Sequence, residues 1–156
     1  MKTSEHGKQL LAEWEGVKTQ VYQDSAELAT IGVGHLLTKQ ERASGKIVID
    51  GQQVEYAHGL SKAQVMALMT QDLARFEQTV NSAVTVELRQ NQFDALVCFC
   101  FNIGAGAFKD STLLKELNKG NYDAVPGQMG KWVKADGKTV AGLVNRRNKE
   151  INLWTA

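Results

Sequence analysis

Leu10, Leu11 and Trp14 fall on one face of a helix spanning about residues 5–14, with Ser4 placed to cap its start. Gly16 can take the left-handed conformation that ends such a helix. The period then shortens to extended runs. Val17, Val21 and Tyr22 precede a polar turn at Gln23-Asp24-Ser25, and Thr30-Ile31-Gly32-Val33-Gly34 follows it. Residues 46–50 and 53–56 read as a second hairpin around Asp50-Gly51. The first 58 residues therefore form a small α+β lobe.

From Ser61 the spacing becomes helical. Ser61 and Gln64 make a capping-box signature, and Val65, Leu68, Met69, Leu73 and Phe76 carry one apolar face to about Val80. A helix of that length runs roughly 30 Å and can act as a strut between lobes. Residues 89–103 are apolar nearly all round, so they predict a buried central helix that ends at Gly104-Ala105-Gly106. Ser111 caps another helix, residues 122–133 give a short one, residues 134–138 a turn, and residues 143–154 a last helix. The single proline, Pro126, sits near a helix start. The expected fold is α+β and mostly helical: one domain over residues 1–156, with a lobe at about 1–60, a linking helix at about 61–80 and a helical lobe at about 81–156.

Composition narrows the function classes. With 43% apolar and 22% charged residues the chain is an ordinary globular domain, and a net charge of +1 gives no overall field for nucleic acid or a membrane surface. Residues 91–156 carry +3 and residues 1–60 carry −2, an unevenness that suits either an anionic polymer or a solvated surface. Cys98 and Cys100 lie two apart on a helix and point away from each other, so they read as buried thiols of a reducing compartment. No signal peptide and no apolar run of about 18 residues is present, so stable membrane insertion is not expected.

Glu15 stands at the C-terminal edge of the first helix, where the negative end of the dipole favours a protonated carboxyl. Asp24 lies in a polar turn that keeps a carboxylate ionised, and Thr30 adds a hydroxyl able to help hold a water. Two carboxyl groups in contrasting environments suit glycoside hydrolysis. A helix-end charge and a turn former would account for the same pair.

The wording around them decides the matter. Glu15-Gly16, Tyr22-Gln23-Asp24-Ser25 and residues 30–39 closely resemble the catalytic signature of the T4-like phage lysozymes, glycoside hydrolase family 24. Residues 91–97, Phe101-Asn102-Ile103-Gly104, residues 106–108 and 111–114, and Gly142-Leu143-Val144-Asn145-Arg146-Arg147 continue the resemblance in family order. It implies a lysozyme-like fold with a small α/β N-terminal lobe, a long linking helix, a helical C-terminal lobe and a cleft between them. It also implies Glu15 as general acid, Asp24 as second carboxylate and Thr30 as its water-positioning partner. Glu13, a rival acid by composition, is rejected because the motif falls on Glu15-Gly16.

Weaker assignments follow from the same resemblance. His35 matches the motif but also suits a structural histidine; Phe101 and Asn102 line the cleft or, for Phe101, the core. Arg146 matches a position near the catalytic glutamate. The implied activity is that of an endolysin, an N-acetylmuramidase hydrolysing the β-1,4 bond between N-acetylmuramic acid and N-acetylglucosamine in peptidoglycan with inversion, so that phage leave the host. No cofactor and no metal enters. Other readings are a lytic transglycosylase and a wall- or membrane-active protein that needs no hydrolysis. The expected life of the protein is synthesis in the host cytoplasm as a monomer, and action on the periplasmic wall once a holin has permeabilised the membrane.

Overall fold

The computed structural model describes residues 1–24 and 26–156; Ser25, the last residue of the polar-turn motif, lies outside them. The chain divides into two compact units, one of residues 8–72 and one of residues 1–7 with 73–156. Each carries its own part of the hydrophobic core.

The unit of residues 8–72 holds most of helix α1 (Glu5–Glu15), strands β1 (Lys18–Gln23), β2 (Ala29–Gly32) and β3 (His35–Leu36), helix α2 (Lys39–Ser44), and strands β4 (Lys46–Ile49) and β5 (Gln52–Glu55). The first three strands make an antiparallel sheet in the order β1-β2-β3, and β4 pairs with β5. Asp50 and Gly51 turn that hairpin with φ of 51° and 78°, the paired left-handed geometry that a two-residue turn requires. Ile31, Val33, Ile47 and Ile49 are buried, and α3 (Lys62–Ala83) contributes Val65 and Leu68 to this core. Gly32 lies close enough to α3 that an added Cβ would stand 3.5 Å from Val65.

The expected long helix is present, with both halves of its capping box: Gln64 N donates to Ser61 Oγ at 3.1 Å, and Ser61 N donates to Gln64 Oε1 at 2.9 Å. Helix α2 is an addition to the sequence reading. Its signal was the Thr38–Glu41 pair, a full capping box, but its six residues bury nothing and so show no hydrophobic period.

The other unit is helical. It contains α4 (Gln90–Ile103), α5 (Ala105–Lys109), α6 (Thr112–Asn118), α7 (Val125–Met129) and α8 (Ala141–Thr155), with a small hairpin of β6 (Lys134–Ala135) and β7 (Lys138–Thr139). As its composition predicts, α4 is the centre, with every residue from Phe93 to Cys100 buried. Gly104 does end α4, but only to start α5 at once; its φ of 97° and ψ of 150° make the break. Residues 122–133 give a 3-10 turn (Tyr122–Ala124) and then α7, with Pro126 in its first turn, rather than one continuous helix. Both thiols are buried, and burial pushes the Cys100 thiol up to about 12, which removes it from nucleophilic chemistry near neutrality.

The first residues are tied to this unit. Ser4 caps α1 through Gly7 N at 3.0 Å, and Asp94, 1% exposed, accepts from Ser4 N at 3.0 Å, from Ser4 Oγ and from Gln90 Nε2 at 2.8 Å. Gly7 must be glycine, because a Cβ there would fall 2.7 Å from Asp94 Cγ, and Asp94 is pinned by those bonds. Gly7→Ala should lower stability by about 1–3 kcal/mol, read as a drop in the thermal midpoint.

Candidate active site

The site residues of the 8–72 unit are set by one helix end and one hairpin. Glu15 is the last residue of α1 and half-buried. Gly16 turns the chain with φ 83°, and its N–H donates to Ala12 O at 2.8 Å, so the helix stops in a fixed place.

In the β1–β2 hairpin Tyr22 pairs with Thr30 and Gln23 with Ala29, and Asp24 N donates to Leu28 O at 3.0 Å. Directly opposed residues share a face, as do residues two apart on a strand. Tyr22, Asp24 and Thr30 therefore face the same way. Asp24 Oδ1 accepts from Ala26 N at 2.9 Å and from Leu28 N at 2.8 Å, which fixes the carboxylate on its own loop. The turn-forming role expected of Asp24 is thus present, and it uses only one of the two carboxylate oxygens in these bonds. Thr30 is buried, and its hydroxyl donates to Leu28 O at 2.9 Å. Its proton is committed, so its lone pairs are left to accept. A water donating one hydrogen to Asp24 and the other to Thr30 would keep an oxygen lone pair for attack.

Tyr22, part of the motif, senses both carboxylates. Its phenol is raised above the ordinary value of 10, first by burial, then by the charge of Glu15 and then by that of Asp24. The phenol therefore remains a neutral donor throughout the working pH range, within electrostatic reach of both acids. The period of two along β1 carries this signal when the pairing is continued one residue past its end by the Asp24 N–Leu28 O bond.

His35 is a structural ion-pair residue. Its Nδ1 lies 2.7 Å from Asp72 Oδ2 and its Nε2 2.9 Å from Glu41 Oε1. Burial alone would pull its pKa down, but hydrogen bonding and charge from Asp72, then from Glu41, outweigh that and raise it above 6.5. The pair's contribution to stability is complete below the unfolded-state value near 6.5 and is lost as pH rises through the higher folded value. Wild-type stability should thus be lower at about pH 8 than at about pH 6. His35→Asn should lose that pH-dependent part, as urea midpoints at both pH values would test.

The remaining candidates belong to the helical unit. Phe101, half-buried near the end of α4, packs edge-on against Phe76 with centroids 5.2 Å apart. Asn102 Oδ1 accepts from Arg147 Nη2. Arg146 donates from Nε to Glu150 Oε2 at 2.9 Å and from Nη2 to Cys98 O at 3.1 Å. The sequence singles out Arg146 as the candidate; the structure joins the candidate Asn102 to its neighbour Arg147, which belongs to the same motif but had no role assigned. On a helix consecutive side chains point about 100° apart, and only the packing of α8 on α4 decides which arginine reaches Asn102.

Among the described residues no group of three His, Cys, Asp or Glu side chains is placed to hold a metal ion, and no helix is long and apolar enough to cross a membrane.

The chain is similar to known proteins over nearly its whole length. The phage lysozyme family model matches residues 12–150. An endolysin of Bacillus phage B103 is 35% identical over 156 residues, which cover 99% of this chain and 54% of that protein. An endolysin of Salmonella phage P22 is 38% identical over 154 residues, covering 99% of this chain and 98% of that one. The chain spans about half the length of the Bacillus phage relatives it matches, 54% and 56%. A crystal structure of a P22 lysozyme mutant superposes with a TM-score of 0.82 at 35% identity, covering 100% of this chain and 99% of that one.

Proposed function

The chain belongs to the phage lysozyme family, and from that premise we propose that it is an endolysin, a muramidase that hydrolyses the glycan of bacterial peptidoglycan. The observation that carries this is the hairpin register: it sets Tyr22 opposite Thr30, with Asp24 two residues further along the same side and Tyr22 in the field of Glu15 and Asp24. In the proposed reaction Glu15 protonates the glycosidic oxygen as the bond to the anomeric carbon breaks. A water held by Asp24 and Thr30 attacks that carbon from the opposite side and gives its proton to Asp24. The configuration at the carbon inverts, and each turnover adds one water.

The bond proposed is the β-1,4 link between N-acetylmuramic acid and N-acetylglucosamine. One copy carries every group named, so a monomer suffices. Made in the host cytoplasm, the enzyme reaches the periplasmic wall after a holin permeabilises the inner membrane, and lysis releases phage.

Mass spectrometry of muropeptides released from purified wall tests this, together with the stereochemistry at the freed anomeric carbon. The expected product is a reducing end carrying one added water, formed first in the inverted configuration. An anhydro product would instead mean transglycosylation, and retained configuration would remove the single-step attack by water.

A further inference from the structure

The segment from Thr38 to Glu55 has no task in the proposed chemistry. Helix α2 buries none of its residues, yet it is held firmly. Thr38 and Glu41 close its capping box, Gly45 ends it at φ 72°, and the Tyr56 hydroxyl donates to Glu41 O at 2.8 Å. The β4–β5 hairpin turns Ile47 and Ile49 inward and Lys46 and Val48 outward. Val48, 49% exposed, pairs with Gln53. Between α2 and this outer face runs a groove of about 270 Å³.

Three glutamines from three separate elements converge on it: Gln40 from α2, Gln53 from β5 and Gln71 from α3. The Gln71 amide is fixed in the groove wall, because its Nε2 donates to Val48 O at 2.9 Å. Each amide offers a donor and an acceptor together, which matches hydroxyl and acetamido groups that themselves do both. Val48 supplies an apolar spot for an acetyl methyl or a pyranose C–H face. The charged lining is one lysine, Lys46, and one carboxylate, Glu41, which already accepts from Thr38 N at 2.9 Å and meets His35. The balance of charge favours a neutral ligand. The volume falls just below the ~300–1,000 Å³ of sites for drug-sized ligands, so it fits a single sugar ring.

We propose that this groove binds one N-acetylated sugar of the wall glycan, apart from the residues assigned to bond cleavage. The proposal rests on the reading of peptidoglycan as the substrate and adds a second hold on that polymer. A preformed, capped frame limits the ordering cost of binding.

The test is an NMR titration of the Glu15→Gln chain with N,N′-diacetylchitobiose, following the side-chain amides of Gln40, Gln53 and Gln71 and the methyls of Val48. These signals should shift together along one saturable curve, and Val48→Asp or Gln53→Ala should weaken binding about tenfold. In the chain with Glu15 intact, the same two substitutions should reduce retention on insoluble wall and leave cleavage of short soluble glycan unchanged. Absence of saturable shifts in the groove, or an equal loss of soluble-glycan cleavage, would overturn the proposal. Cleavage by the Glu15→Gln chain would instead overturn the active-site reading, while the groove titration would still decide this one.

Discussion

Glu15→Gln should lower clearing of purified peptidoglycan by about 10²–10⁴-fold, the range expected when a general acid is removed. The fold should survive, because Glu15 is half-buried at the last position of α1, and Gly16, not Glu15, supplies the turn. Glutamine keeps the size of the side chain and loses the proton that the leaving oxygen needs. Asp24→Asn is the companion. Asparagine can still accept from Ala26 N and Leu28 N through its carbonyl oxygen, so the loop keeps its shape while the charge that receives the water's proton is gone. Circular dichroism melts unchanged from wild type, alongside the loss of clearing, are the expected result for both. Full clearing by the Glu15→Gln protein would remove the glutamate from the mechanism.

The backbone positions of Glu15, Asp24 and Thr30 were legible in the sequence because each is locally encoded. Gly16 marks the helix end, the two extended runs mark the hairpin, and alternation along it orders the faces. The hydrogen bonds of Asp24 Oδ1 stay within four residues, so the turn reading holds locally, and the catalytic role proposed for the same carboxylate is compatible with it. What the sequence withheld is long-range. His35 meets Asp72 across 37 positions, and Arg147 meets Asn102 across 45. Those pairings depend on how sheet and helix, or α4 and α8, pack, and no local period records that. Helix α2 was missed for the opposite reason. It has strong caps and no apolar face, and a reading built on hydrophobic period passes over such a helix.

The same long-range packing yields the largest expected stability effect. Glu150 in α8 is fully buried and sits between two arginines, with Arg146 Nε 2.9 Å from Oε2 and Arg147 Nε 3.1 Å from Oε1. Both arginines also bind α4: Arg146 through Cys98 O, and Arg147 through Asn102 with its guanidinium 5.1 Å over the Phe99 ring. The carboxylate therefore offsets two cations that together fasten α8 to the central helix.

Taking charges out of water is costly, and such a pair need not outdo an apolar replacement, but removing one buried partner is strongly destabilising. Glu150→Ala should cost about 3–5 kcal/mol and lower the thermal midpoint by roughly 6–20 °C. Glu150→Gln, which keeps an acceptor and the volume, should cost less. Replacing the whole cluster, Arg146→Leu and Arg147→Met with Glu150→Leu, should recover part of the loss, since the three charges leave together and Met still covers Phe99. Differential scanning calorimetry of the three proteins reads these directly. A midpoint for Glu150→Ala within about 2 °C of wild type would mean that the arginines are held well enough by their other partners, and that the carboxylate does not fasten α8 to α4.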